Sequence, residues 1–184
     1  MSSHFSFQFP TKIEFGSGKI KYLGSILKEY GYHKVMIVTD PGLCQTPIID
    51  QAQEYIQKAG LQSVIFHDVL PNPHSEDCEK GALIAQKEKV DAVVAIGGGS
   101  SMDTAKAISA LTANPGSIHT LFYPNTVPQK GLPIICVPTT AGTGSEVTMF
   151  AVISVTEKQS KESILDTNIA PILAINDPDL LKSV

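Results

Sequence analysis

Residues 91 to 106 run Asp-Ala-Val-Val-Ala-Ile-Gly-Gly-Gly-Ser-Ser-Met-Asp-Thr-Ala-Lys, an apolar stretch that breaks on three glycines and resumes with helix-forming residues. Val93, Val94, Ala95 and Ile96 are apolar at consecutive positions. Both faces of the strand they form must therefore be covered, as in a parallel sheet between helices. Gly97, Gly98 and Gly99 let the backbone turn sharply and approach a ligand with no Cβ in the way. Ser100 or Ser101 is placed to cap the following helix, whose free N–H groups and positive dipole end favour an anion. The segment predicts a phosphate cradle; the competing reading is a glycine-rich turn that holds nothing.

The rest of the chain repeats strand and helix signals around this unit. Phe5, Phe7 and Phe9, then Ile13 and Phe15, alternate with polar residues and predict two short strands around Pro10. Ile20, Leu23, Ile26, Leu27 and Tyr30 follow helical spacing up to Gly31. Strands are expected at 34–39, 63–66, 133–137, 147–155 and 173–175, and helices at 47–59, 75–88 and from the glycines to about residue 113. Asn114 to Pro133, punctuated by proline and glycine, reads as a long surface connection. The alternation predicts an α/β fold: a doubly wound, mainly parallel, Rossmann-like sheet with helices on both faces. The whole chain, 1–184, is expected to be one dinucleotide-binding domain.

Composition narrows the functions. With 184 residues, 42% of them hydrophobic and 17% charged, the chain suits one packed soluble domain. No apolar run approaches a membrane span, and the N-terminus has no basic leader with an apolar core, so neither a membrane partner nor secretion is expected. Cys44, Cys78 and Cys136 form no CxxC pair, which favours a reducing cytoplasm over a disulfide framework or zinc knuckle. The net charge is −4, and all 14 basic residues are dispersed lysines, with no arginine. A nucleic-acid partner is therefore not expected.

In doubly wound sheets ligands gather at the carboxyl ends of the strands. Here those ends carry Asp40-Pro41-Gly42, Pro71-Asn72-Pro73, Gly97 to Ser101, and Thr139-Thr140-Ala141-Gly142-Thr143-Gly144-Ser145. Donors for phosphate, hydroxyls for ribose or phosphate, and a carboxylate for a ribose diol suit a nucleotide. Asp40 is placed to accept both adenosine ribose hydroxyls and to repel a 2′-phosphate, for which the chain has no bidentate arginine. Its alternative role is to cap the turn before Pro41 and Gly42. Thr139, Thr140 and Thr143 are candidates for phosphate or nicotinamide ribose. The glycine loop is not GxGxxG and falls on the third βα unit in this reading, so the ordinary dinucleotide fingerprint is absent.

Gly97-Gly98-Gly99-Ser100-Ser101-Met102-Asp103-Thr104-Ala105-Lys106 and Pro138-Thr139-Thr140-Ala141-Gly142-Thr143-Gly144-Ser145-Glu146-Val147-Thr148 together resemble the iron-containing (group III) alcohol dehydrogenases. Residues 10–18, Asp40 and Pro71-Asn72-Pro73 extend the resemblance over nearly the whole chain. It implies an NAD(P)-dependent, usually oligomeric oxidoreductase with a nucleotide-binding domain followed by a helical metal domain. By the same resemblance Asp40 selects NAD, and Gly98, Gly99 and Ser100 hold the diphosphate with Asp103 nearby. Thr139, Thr140 and Thr148 border the nicotinamide, Asn72 and Lys161 line the cleft, and Leu180 lies close to the adenosine ribose.

Two departures stand out. The family holds iron or zinc through one Asp and three His, beginning in a Gly-x-Asp-Ala-x-x-x-His stretch that follows the motifs present here. His4, His33, His67, His74 and His119 match none of it. No catalytic or metal-ligating residue is therefore assigned, and the chain is expected to be a truncated form or one half of a split gene. Phe150 stands where several relatives carry a polar residue beside the nicotinamide. The expectation is the NAD-binding part of an enzyme for an alcohol or aldehyde, working as a homo-oligomer. The alternatives are a stand-alone NAD(H)-binding or regulatory module, and a glycerol dehydrogenase-like or dehydroquinate synthase-like member of the same superfamily.

Overall fold

The computed structural model describes residues 10–182 of the chain. The strand expected at Phe5 to Phe9 lies outside them. Strand β1 (Lys12–Phe15) leads through a short 3-10 turn into α1 (Leu23–Glu29), then β2 (Lys34–Val38), α2 (Pro47–Lys58) and β3 (Gln62–Phe66). After α3 (Ser75–Glu88) come β4 (Ala92–Gly97), α4 (Gly99–Ala113) and β5 (Ile134–Pro138). A hairpin of β6 (Phe150–Val155) and β7 (Ser160–Leu165) precedes β8 (Leu173–Asn176). Six strands form one sheet in the order β1-β8-β5-β4-β2-β3, parallel at every pairing, and β6 and β7 pair antiparallel apart from it.

Strand periodicity sorts the core into two layers. Val35 and Ile37 of β2, with Val94 and Ile96 of β4, pack on Leu23, Leu27, Ile49 and Ile56 of α1 and α2. Met36, Val38, Val93 and Ala95 point the other way, onto Ala85 of α3 and Met102, Ala105 and Ile108 of α4. Such two-sided burial is what the unbroken apolar runs predict. Thr46 caps α2 by accepting from Ile48 N at 3.4 Å, with Pro47 in the first turn.

Three expectations change. The run read as a strand from residue 147 begins at Phe150, since Ser145–Val147 is a 3-10 turn, and β7 went unread. The 114–133 stretch is not a plain surface connection. Ile118, Leu121, Phe122 and Val127 are buried against α3, α4 and the hairpin, because Ala107, Ala110 and Leu111 give α4 a second apolar face, turned away from the sheet, that needs cover. The glycine loop belongs to the fourth βα unit, not the third, because β1 joins the sheet and leads into α1 as a unit of its own.

Helices α1 and α2 touch through Gly24. A Cβ at that position would strike the Tyr55 carbonyl and the Ala59 Cβ. Gly24→Ala is expected to cost about 1–3 kcal/mol, the usual penalty of overpacking, and to lower Tm by several degrees. An unchanged thermal unfolding curve would contradict so close a helix contact.

Candidate functional site

From β2 the chain steps to β3 on one side, and from β4 to β5 on the other. The strand order therefore reverses between β2 and β4, and the helices that follow them lie on opposite faces of the sheet. A crevice opens at the carboxyl ends of these two strands. A cleft of about 670 Å³ occupies it, walled by Asp40–Leu43, Thr46, Val69–Pro71, Gly98–Ser101 and Thr139–Thr140. All the loops expected to converge on this edge contribute to it.

The β4–α4 turn is built for close approach. Gly97 has φ +150°, and a Cβ there would strike the Ser101 side chain and press on Leu43. Gly98 is the N-cap of α4, and among the described residues no side chain caps the helix. This corrects the expectation for Ser100 and Ser101, which sit inside the first turn. The amides of Gly99, Ser100 and Ser101 thus begin the helix without intrahelical acceptors and without a protein cap. A Cβ on Gly98 would lie 3.2 Å from Thr140 Oγ1, and one on Gly99 would lie 3.3 Å from Thr143 Cγ2. The threonine loop therefore stands directly over the glycines.

Across the cleft, Asp40 caps the next turn: its Oδ1 accepts from Leu43 N at 3.0 Å, while Oδ2 takes no hydrogen bond from the described residues. The turn-capping role is real, and one oxygen remains for a ligand. Thr139 donates its N–H to Gly97 O at 3.0 Å, but its Oγ1 is buried with no partner among the described residues. A buried hydroxyl left unmade is costly, and one on a cleft wall fits a polar ligand. These features fit the phosphates and ribose of a dinucleotide: bare helix-start amides, glycines that a side chain would fill, and an orphaned hydroxyl.

Other candidates sit elsewhere. Asn72, next to the lining residue Pro71, holds φ +63° and accepts from Lys161 Nζ at 2.7 Å, so β7 and the β3–α3 loop meet at the rim. Thr148 accepts from Lys106 Nζ at 3.2 Å. Asp103 does not line the cleft; it accepts from Ser145 Oγ at 2.6 Å and from Val152 N at 3.0 Å. Leu180 is buried in the same cluster as Leu43 and does not line the cleft either. The apolar wall of Leu43, Val69 and Leu70 was missed. Its only sequence signal is apolar residues set in the strand-end loops. Lys106, the last residue of the glycine motif, carries no role by sequence pattern, yet it is fully buried. Burial pushes its ammonium below the ordinary lysine pKa, while Asp103, Cys136 and Glu146 pull it upward. Among the described residues, no group of three His, Cys, Asp or Glu side chains is placed to hold a metal ion.

A sheet whose strand order reverses beside a glycine-led helix defines a doubly wound, Rossmann-like α/β fold. The chain belongs to the iron-containing alcohol dehydrogenase family, whose model matches residues 10–178. It is 39% identical to the NAD-dependent methanol dehydrogenase of Bacillus methanolicus over 96% of this chain and 46% of the relative. It is 40% identical to the choline dehydrogenase of Bacillus subtilis over 100% of this chain and 46% of that protein. Among solved structures, the sulfoacetaldehyde reductase from Bifidobacterium kashiwanohense in complex with NAD+ superposes with a TM-score of 0.94 at 34% identity. That match covers 100% of this chain and 48% of the reductase. The chain spans about half the length of the curated relatives it matches.

Proposed function

We propose that this chain is the NAD-binding part of a metal-dependent alcohol dehydrogenase that transfers hydride between an alcohol and NAD+, with an aldehyde or ketone as the oxidised partner. The observation that carries the reading is the pairing of bare Gly99–Ser101 amides with the unpartnered Thr139 Oγ1 in one cleft. Gly98, Gly99 and Ser100 hold the diphosphate, and Asp40 accepts the adenosine ribose hydroxyls. Leu43 and Leu70 offer apolar surface to the adenine. Thr139, Thr140 and Thr143 lead toward the nicotinamide, with Asn72, Lys161 and Thr148 on its outer side.

When bound, the nicotinamide supplies the hydride chemistry. This chain's share is to bind and orient the dinucleotide. Asp103 and Leu180 serve from behind, holding the hairpin and the core. The described residues do not fit a metal, so iron or zinc is assigned to the part of the relatives that this chain does not span. Residues 1–184 act as one nucleotide-binding domain. Resemblance supports a homo-oligomer, and three free thiols support a reducing cytoplasm. Among the described residues, no helix is long and apolar enough to cross a membrane.

Titrating the chain with NADH and NADPH, read by the cofactor's own fluorescence, tests the binding. Saturable NADH binding with NADPH weaker by about tenfold or more is expected, a gap of roughly 1.4 kcal/mol. Oxidation of a primary alcohol with added iron or zinc should be undetectable. Absent NADH binding would overturn the nucleotide reading, and measurable turnover would overturn the assignment of the metal elsewhere.

A further inference from the structure

Lys106 lies on the second turn of α4 with no exposure to solvent. Its Nζ donates to Ser145 Oγ at 2.8 Å, Thr148 Oγ1 at 3.2 Å and the Phe150 carbonyl at 2.8 Å. Those acceptors use all the protons an ammonium has. Ser145 Oγ passes its own proton toward Asp103 Oδ1, and Asp103 Oδ2 receives Val152 N–H. Lys106 and Asp103, one helical turn apart, also face each other at 3.8 Å. A buried charge is tolerated only where its donors and its charge are both met, so this set has few alternative arrangements.

The segment that Lys106 grips is the far end of the threonine loop. That loop leaves β5 at Thr139, tied there to Gly97, and passes Thr140 and Thr143 over Gly98 and Gly99. Gly142 and Gly144 lie between, with φ of +105° and +68°. Two glycines at positive φ give the loop little stiffness of its own. Its height above the glycine turn is therefore decided by its ends. One end is β5, and the other is Ser145 to Phe150 on Lys106.

We propose that Lys106, acting through Ser145, Thr148 and the Phe150 carbonyl, is a positioning residue that sets the gap between the threonine loop and the start of α4. It thereby sets the affinity for the part of the dinucleotide beyond the diphosphate. Lys106 touches no ligand; it holds the wall that does. The inference rests on the dinucleotide reading of the cleft. It also makes a claim about the loop that holds without any ligand.

The test compares the wild-type chain with Lys106→Met and Ser145→Ala, using NADH and AMP as probes. AMP carries the adenosine ribose and one phosphate and reaches only the Asp40 and glycine side. Lys106→Met is expected to weaken NADH about tenfold and leave AMP within about twofold. Ser145→Ala, which keeps two of the lysine's acceptors, should show the same pattern to a smaller extent and serves if Lys106→Met does not fold. Without nucleotide, amide exchange across 140–150 should quicken in either variant while the β2 and β4 strands stay protected. Equal weakening of NADH and AMP, or unchanged exchange across 140–150, would overturn the positioning role. Wild-type chain that binds no NADH would refute the cofactor reading instead, and the exchange result would still decide what Lys106 does.

Discussion

Gly98→Val is expected to lower NADH affinity by more than about a hundredfold, roughly 2.7 kcal/mol, in a chain that still folds. Gly98 has φ −85° and ψ −168°, extended values open to any residue, so valine meets no backbone strain there. Its Cβ would lie 3.2 Å from Thr140 Oγ1, close but adjustable, and its methyls would then occupy the space above the first amides of α4. A diphosphate and a branched side chain cannot share that space. Gly97→Val is the wrong probe, since φ +150° strains any side chain and a Cβ would clash with Ser101, so folding itself would suffer. Thermal unfolding within a few degrees of wild type, with NADH fluorescence titration lost, is the expected pair of results. Normal NADH binding by the folded variant would move the cradle elsewhere.

The second large effect concerns cofactor choice. Asp40→Gly should weaken NADH about tenfold by removing charge-assisted hydrogen bonds, and should shrink the NADH-to-NADPH affinity ratio at least about tenfold relative to wild type. Both changes come from the same carboxylate: it accepts the ribose hydroxyls, and its negative charge opposes a 2′-phosphate. Because Asp40 also holds Leu43 N at 3.0 Å, glycine removes a turn cap as well. Asp40→Asn separates the two roles, keeping an acceptor for that amide while losing the charge. It should recover the stability of the turn and still relax the preference. An NADH-to-NADPH affinity ratio unchanged in both variants would take Asp40 out of the cofactor site.

The parallel sheet was legible because its inner strands β2, β4 and β5 are buried on both faces, and burial on both faces writes itself as uninterrupted runs such as Val35–Val38 and Val93–Ile96. The cleft was legible because each of its walls is a loop leaving such a strand. What escaped reading depends on contacts between distant segments. Strand β7 carries Lys161, Glu162 and Ser163 at its centre and, among the described residues, pairs only with β6, so it shows no apolar alternation to find. Ile118, Leu121 and Phe122 looked like scattered apolar residues among prolines until α4 supplied their partner. Asp103 matched a cofactor motif, yet three dimensions spend both of its oxygens on Ser145 and Val152. Leu180 likewise stands behind the site, in the core beneath it. Motif matching named residues around one sheet edge; burial and hydrogen bonding separate those that line the cleft from those that hold its walls.

The most direct measurement is a crystal structure of the chain grown with NADH. The diphosphate should lie within hydrogen-bonding distance of the Gly99, Ser100 and Ser101 amides, with the adenosine ribose hydroxyls on Asp40 and the Thr139 hydroxyl no longer without a partner. A dinucleotide bound away from the start of α4, or a glycine turn left empty at saturating NADH, would contradict the assignment.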